Sequence, residues 1–283
     1  MPALTMPAAG RLFVVATPLG HLEDITLRAL AVLRQVSLIA CEDTRHTGKL
    51  LRAHGVETPT TSYFEHNERS KGERILEVLR SGREVALVSD AGTPGISDPG
   101  FRLVRAARAA DIPVIPVPGP SAVITALSVS GLPTDRFLFV GFLPPKAAAR
   151  RRALEELGRV RETLVFYESP VRIREAMKDM ASTLGDREAF VCREATKLHE
   201  EYRRGRLSEL SDLLAARGEV KGEIVLVVAG ASDASPAAPA EAPEVLFARL
   251  TQEGRTRREA VKEIARLTGL PAREVYRRLL GEG

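Results

Sequence analysis

The hydrophobic positions of this chain fall into two alternating rhythms. Short apolar runs recur at 12–16, 37–41, 84–89 and 112–117, and stretches with apolar residues at helical spacing separate them. Runs that are apolar at nearly every position predict strands buried on both faces, as in a parallel sheet covered by helices. The intervening pattern predicts a helix carrying Leu27, Leu30, Ala31 and Leu33, capped by Asp24 or Thr26. Further helices are predicted over 42–54, ended by Gly55, over 70–81, stopped by Gly82, and over 101–110. A short strand at 58–62 and a small-residue helix over 121–130 complete this half.

Beyond Gly131 the pattern changes. Strands are predicted at 137–142, 163–167, 188–193, 201–206 and 222–229, with helices at 146–157, 171–184 and 207–217. The higher strand content predicts a second α/β layer with antiparallel pairing. The stretch 230–243, built of Ala, Ser, Pro, Asp and Glu, reads as a linker. Three short helices follow at 244–253, 256–268 and 271–280, with Gly269 ending the second and Pro271 opening the third. A glycine-containing three-residue turn between helices matches a helix-turn-helix, whose small core is expected from Val261, Ile264, Ala265, Leu267, Val275 and Leu279. The predicted fold class is therefore α/β, with α/β domains at 11–132 and 133–230, a linker at 231–243 and a helical domain at 244–283.

Composition narrows this picture a little. A chain of 283 residues with 44% hydrophobic and 28% charged residues is expected to be an ordinary soluble globular protein. The formal net charge of +4 permits an anionic partner without demanding one. Cys41 and Cys192 each close an apolar run, and no CxxC or His/Cys cluster is present, so neither a disulfide framework nor a metal site is expected. The first fifteen residues lack the charged start and apolar core of a signal peptide, and no run approaches a membrane span. A cytoplasmic location with no membrane partner is expected.

The candidate chemistry centres on 85–99, VALVSDAGTPGISDP. Here a buried strand ends in a carboxylate, Asp90, and a loop crowded with glycine and proline. Open α/β sheets bind ligands at the carboxyl ends of their strands. The loops at 17–20 and 118–122 follow strands in the same way and also combine Gly or Pro with a small hydroxyl residue. Three such loops predict a pocket for a small polar cofactor. No G-x-G-x-x-G fingerprint and no Walker lysine motif is present, which argues against hydride transfer and phosphate-loop chemistry.

The segments VATPLGHLEDITLRAL, CEDTRHTGKLL, VSDAGTPGISDPG, PVPGPSAVITALSVSGLP, VFYESPVRI and REATKLHEEYRRG together resemble the tetrapyrrole methylase family, and more closely its ribosomal RNA branch. The resemblance spans about 11–230, and the terminal helices look like that branch's extra helix-turn-helix domain. It implies two α/β domains with S-adenosylmethionine in the cleft between them. It also implies 2′-O-methylation of a cytidine in the decoding region of 16S rRNA in the small ribosomal subunit, by a homodimer. Carried over by position, Asp90, Gly92, Thr93 and Pro94 stand in the acidic loop that holds the methionine part of the cofactor. Pro18 and Leu19 stand in the first contact segment, Ser121 and Ala122 in the second, and Tyr167, Ala195 and Ala229 are further cofactor candidates. The macrocycle-methylating branches carry a glycine-rich first loop, and TPLGHLED replaces it here.

Methyl transfer to a ribose hydroxyl is helped by a base, for which Asp43, Glu194 and Lys197 are the candidates, the lysine only if desolvated. Arg45 and Lys49 follow a strand end at helical spacing and suit phosphate contact. Lys146, Arg150, Arg151 and Arg152 form the densest basic run. A solvated helix face is the plain reading of such a run, and backbone contact is the reading an RNA substrate favours. Two other functions stay open at this point: a methyltransferase of the same fold for a tetrapyrrole or protein substrate, and a DNA-binding metabolite sensor.

Overall fold

The computed structural model describes residues 10–216, 218, 220–232, 243–268 and 271–280. Within them the chain divides into two compact units. One comprises residues up to Val129 together with Arg193–Glu201, and the other Ser130–Cys192 with Tyr202 onward.

The first unit is built on five parallel strands, β1 (Leu12–Val15), β2 (Leu38–Cys41), β3 (Thr60–Ser62), β4 (Val85–Leu87) and β5 (Val114–Val117), in the order β3-β2-β4-β1-β5. Alternation along each strand explains the apolar runs. Phe13, Val15, Ile39 and Ala86 pack with α1 (Leu27–Gln35) and α2 (Thr44–Ala53) through Leu33, Leu50 and Leu51. Leu12, Ala40, Val85 and Leu87 pack in a second cluster with α3 (Glu68–Arg80) and α4 (Phe101–Ala109) through Ile75, Leu79 and Leu103. Each fully buried aliphatic side chain contributes about 1.5–3 kcal/mol. The helix α5 (Ala122–Ser130) follows β5.

Caps fix the helix starts. Thr26, not Asp24, caps α1, its hydroxyl accepting from the Ala29 amide at 3.1 Å, and Asp24 lies in a 3-10 turn over Leu22–Asp24. Asp43 caps α2 and accepts from the Arg45 amide at 2.7 Å, so the helix starts at Thr44 rather than at 42.

The second unit holds a mixed sheet of β6 (Phe137–Phe142), β7 (Thr163–Glu168), β8 (Glu188–Arg193), β9 (Glu201–Arg206) and β10 (Ile224–Val228), ordered β6-β7-β10-β8-β9. The pair β6/β7 is parallel and β10/β7 antiparallel. The helices α6 (Ala147–Leu157), α7 (Ile173–Leu184) and α8 (Leu207–Ala216) bury Leu154, Met177, Met180 and Leu210 against Phe166 and Leu226.

The chain then continues as α9 (Pro243–Gln252), α10 (Arg257–Thr268) and α11 (Ala272–Leu280). Leu246, Leu250, Val261, Ile264 and Val275 form their core, with Ala265 and Leu279 partly buried against it. Thr256 and Glu259 make a reciprocal capping box at the start of α10. Most of the expected linker, the Gly269 stop, the Leu267 side chain and the first nine residues lie outside the described residues. Among the described residues no helix is long and apolar enough to cross a membrane.

Candidate active site

The three loops that the sequence brings into question do meet, and all lie at the carboxyl ends of strands in the first unit. Thr17, after β1, and Gly92, after β4, exchange both backbone hydrogen bonds, at 2.9 and 3.0 Å. The Thr17 hydroxyl also donates to the Ser89 carbonyl at 3.0 Å. Thr93 reaches the third loop, its hydroxyl donating to the Pro120 carbonyl at 3.2 Å. A fourth strand end joins them, because the Asp90 carboxylate accepts from the Asp43 amide after β2 at 3.1 Å.

Burial grades across this cluster. Pro18, Leu19, Gly92 and Pro94 are buried, whereas Asp90, Thr93, Ser121 and Ala122 are half-buried. Gly92 has φ +75°, a left-handed conformation that side-chain-bearing residues rarely adopt. A Cβ there would lie 3.4 Å from Leu19 Cδ2, so the first and central loops are packed in contact. The loop's far end is anchored by Glu68, a buried carboxylate that accepts from the Gly100 amide at 3.1 Å and pairs with Arg102 at 3.2 Å.

Negative charge accumulates at these strand ends. Burial raises the Glu42 carboxyl above its ordinary value, and the neighbouring Asp90, Asp98 and Asp43 raise it further. Burial likewise pushes up the Cys41 thiol. Asp43 goes the other way, to about 2, because the Arg45 side chain and amide hydrogen-bond its carboxylate. The same bonds make Asp43 the cap of α2. Glu42, Asp98 and Glu68 escaped the sequence reading, because isolated carboxylates carry no spacing signal until the fold gathers them.

The segment Arg193–Glu201 packs on the loop after β1. Thr196 accepts from the His21 amide at 3.1 Å, and its own amide donates to Glu200 at 2.9 Å. Lys197 Nζ donates to Glu194 Oε1 at 2.8 Å. Glu194 and Thr196 both have positive φ, 52° and 63°, with Ala195 between them. Left-handed non-glycine residues persist only where the surroundings over-determine them. Gly20 supplies part of that constraint, since a Cβ there would overlap Lys197 Cγ.

The remaining candidates lie elsewhere. Tyr167, on β7 in the second unit, is half-buried with ring contacts to Phe139 and Phe142 at 5.0 and 5.6 Å between centroids. Ala229 follows β10 and donates its amide to the Glu188 carbonyl at 2.9 Å. Arg45 and Lys49 are exposed on α2, and Lys146, Arg151 and Arg152 are exposed at the start of α6. Arg150 must be corrected. It is 2% exposed and its Nη2 lies 2.7 Å from Asp179 of α7, so it is a core ion pair and not a phosphate contact.

A cationic methyl donor carrying an amino-acid group needs carboxylates, backbone polar groups and close approach to the main chain. Asp90, Glu42 and Asp98 supply the charge and Gly92 the approach, so the residues present fit S-adenosylmethionine.

The family model described as Tetrapyrrole (Corrin/Porphyrin) Methylases matches residues 11–211. The chain is 48% identical over 275 residues to a protein of Micromonospora olivasterospora named ribosomal RNA small subunit methyltransferase I, covering 95% of this chain and 86% of that protein. It is 47% identical over 277 residues to a Pseudomonas aeruginosa protein of the same name, covering 96% and 98%. Among solved structures, a cobalt precorrin-4 methyltransferase matches with TM-score 0.60 and 17% identity, over 77% of this chain and 94% of that one. A Thermus thermophilus uroporphyrin-III C-methyltransferase complexed with S-adenosylhomocysteine matches with TM-score 0.55 and 22% identity, over 78% and 97%. At these identities the solved structures bear on the fold alone.

Proposed function

The chain belongs to the tetrapyrrole (corrin/porphyrin) methylase family, among its ribosomal RNA small subunit methyltransferase I members, and on that premise we propose that it methylates a cytidine ribose 2′-oxygen in 16S rRNA. It is an S-adenosylmethionine-dependent rRNA methyltransferase. The finer assignment, to the decoding region of the small subunit, is proposed. The observation that carries the site reading is the joining of the Thr17, Asp90–Pro94 and Pro120 loops around Gly92.

S-adenosylmethionine supplies an electrophilic methyl group on a sulfonium sulfur, and the protein's work is to bind, orient and receive a proton. Asp90 orients the ammonium group, while Glu42 and Asp98 favour the donor's positive charge. Pro18, Leu19, Gly92, Thr93, Pro94, Ser121 and Ala122 shape its seat, with Ala195 beside it. Tyr167 and Ala229 are retained as cofactor candidates to be tested by substitution. Glu194 accepts the proton of the ribose hydroxyl, and Lys197 holds that carboxylate in place. Asp43, the cap of α2, and Lys197 are the alternative proton acceptors, distinguished from Glu194 by substitution.

Arg45, Lys49, Lys146, Arg151 and Arg152 contact RNA phosphates, and the helical domain at 244–283 acts as an accessory RNA clamp. The exposed apolar side chains Phe137, Leu138 and Phe142 of β6, with Ile124 and Val129 of α5, support a homodimer. The protein works in the cytoplasm, with the domains at 11–132 and 133–230 as the catalytic pair.

The test is methyl transfer from labelled S-adenosylmethionine to small ribosomal subunits that lack their native 2′-O-methyls, comparing the wild type with Asp90→Ala. Labelled 2′-O-methylcytidine with the wild type, lost in the variant, is expected. Label in another nucleoside, or in none, overturns the substrate. Full activity in Asp90→Ala overturns the role given to Asp90.

A further inference from the structure

We infer that the open cavity of ≈ 380 Å³ lined by His21, Asp24, Thr196, Lys197, Leu198 and Glu200 receives the acceptor's base, a cytosine turned out of its RNA stack. The inference rests on the proposed cytidine methylation and deepens it by giving the acceptor base a site.

Position is the first argument. The cavity is made by the loop after β1 and by Arg193–Glu201, both in the first unit. It therefore lies on the ligand-binding side of the parallel sheet, where the strands end. The same loop runs without a break from Leu19, which packs against Gly92, through Gly20, which abuts Lys197, to His21 and Asp24. A methyl donor seated over Gly92 and a base in this cavity are thus served by neighbouring residues of one segment. Glu194, the proposed proton acceptor, is tied to the cavity wall through Lys197.

Size agrees. Small-molecule sites occupy roughly 300–1,000 Å³, and a single nucleoside falls at the lower end of that range. Enzymes acting on one nucleotide commonly extrude it into such a pocket and read its pairing edge. Leu198 is 91% exposed and offers apolar surface against which a turned-out base can lie.

The polar lining is complementary to cytosine. That base presents an amino donor at N4 beside acceptors at N3 and O2, and carboxylates are its natural partners at N4. Asp24 is exposed at the cavity and supplies that carboxylate. His21 Nδ1 accepts from the Glu23 amide at 3.4 Å, which places the proton of the neutral ring on Nε2, where it can donate to O2 or N3. The walls are set beforehand, because Thr196 bonds the His21 amide on one side and Glu200 on the other. Uracil carries an oxygen acceptor in place of the amino group, and its approach to Asp24 sets two acceptors against each other.

The test uses the full chain with small subunits carrying either cytidine or uridine at the methylated position. Methyl transfer and S-adenosylmethionine affinity are measured for the wild type, Asp24→Asn and Leu198→Ala. The wild type is expected to favour cytidine by about tenfold or more, the size of one good base contact. Asp24→Asn, whose amide can donate to the uracil oxygen, is expected to lose most of that preference with cofactor affinity unchanged. Leu198→Ala is expected to raise KM for the subunit with little change in kcat. An unaltered cytidine-to-uridine ratio in Asp24→Asn overturns the pocket, as does a wild type that methylates both subunits equally. No methyl transfer to either subunit by the wild type removes the proposed function, and the pocket with it.

Discussion

Thr17 and Gly92 exchange two backbone hydrogen bonds in an antiparallel bridge that belongs to neither flanking strand of the parallel sheet. The bridge turns two strand-end loops, 75 residues apart, into one rigid platform. It depends on the left-handed backbone of Gly92, since φ +75° aims both its amide and its carbonyl at Thr17. A side chain at this position costs about 1–2 kcal/mol through backbone conformation alone. The space beyond is ordinary, with Leu19 at 3.4 Å. Gly92→Ala is therefore expected to fold, to lose about 1–2 kcal/mol in urea titration, and to bind S-adenosylmethionine at least tenfold more weakly by calorimetry.

Gly20 tests the other half of the site. A Cβ there overlaps Lys197 Cγ, and it also comes within 3.2 Å of the Lys197 amide nitrogen and Thr196 Oγ1. The lysine chain can move, but the backbone contact obliges the 194–197 turn to shift. Gly20→Ala is expected to leave cofactor affinity within threefold of the wild type and to lower kcat by more than tenfold. A variant that loses cofactor binding and keeps its turnover would contradict the assignment of Glu194.

Acidity gives a third expectation. Burial, with Asp90, Asp98 and Asp43 nearby, holds the Glu42 carboxyl above its usual range. In the free protein the folded state therefore binds more protons than the unfolded state, and this group's stabilisation fades as pH rises through the raised range. Cofactor binding has the opposite sign. A cationic ligand favours ionised Glu42, so its affinity should rise as pH climbs through the raised range of that carboxyl. Glu42→Gln should weaken binding where Glu42 is ionised and flatten the profile, as followed by calorimetry across a pH series.

The legible parts of this protein were those that local pattern controls. Runs such as 12–16 and 37–41 are apolar at successive positions because both faces of the first sheet are covered, and that needs no knowledge of partners. The glycine–proline loop after Asp90 was legible for the same reason, since backbone conformation selects its residues. What the sequence hides is assembled over distance. His21 and Thr196 are 175 residues apart and nothing in either segment announces the other. Asp43 is one base candidate among three in the sequence, and only the fold shows that it caps α2 and bonds Arg45.

Arg150 shows both sides of this at once and makes the sharpest prediction. Three consecutive arginines at 150–152 look alike as a basic run, yet helical spacing pairs Arg150 with Leu154, and both are buried. Its Nε and Nη2 each lie 2.7 Å from Asp179 Oδ2, and its Nη1 donates to the Pro145 carbonyl at 3.3 Å. Removing one member of a buried pair strands the other, at a cost of about 3–5 kcal/mol. Arg150→Ala is expected to lose stability on that scale, although Arg151, at 3.3 Å from Asp179 Oδ1, keeps some charge beside the carboxylate. Replacing both partners by apolar residues, Arg150→Met with Asp179→Leu, should recover much of the loss, because no charge is then stranded. Arg152→Ala should stay within about 0.5 kcal/mol of the wild type, as exposed substitutions do. Its effect should fall on RNA instead, lowering the salt dependence of subunit binding by roughly one phosphate contact. Urea unfolding of the four proteins, set beside their binding at two salt concentrations, separates the structural arginine from the one proposed to contact RNA.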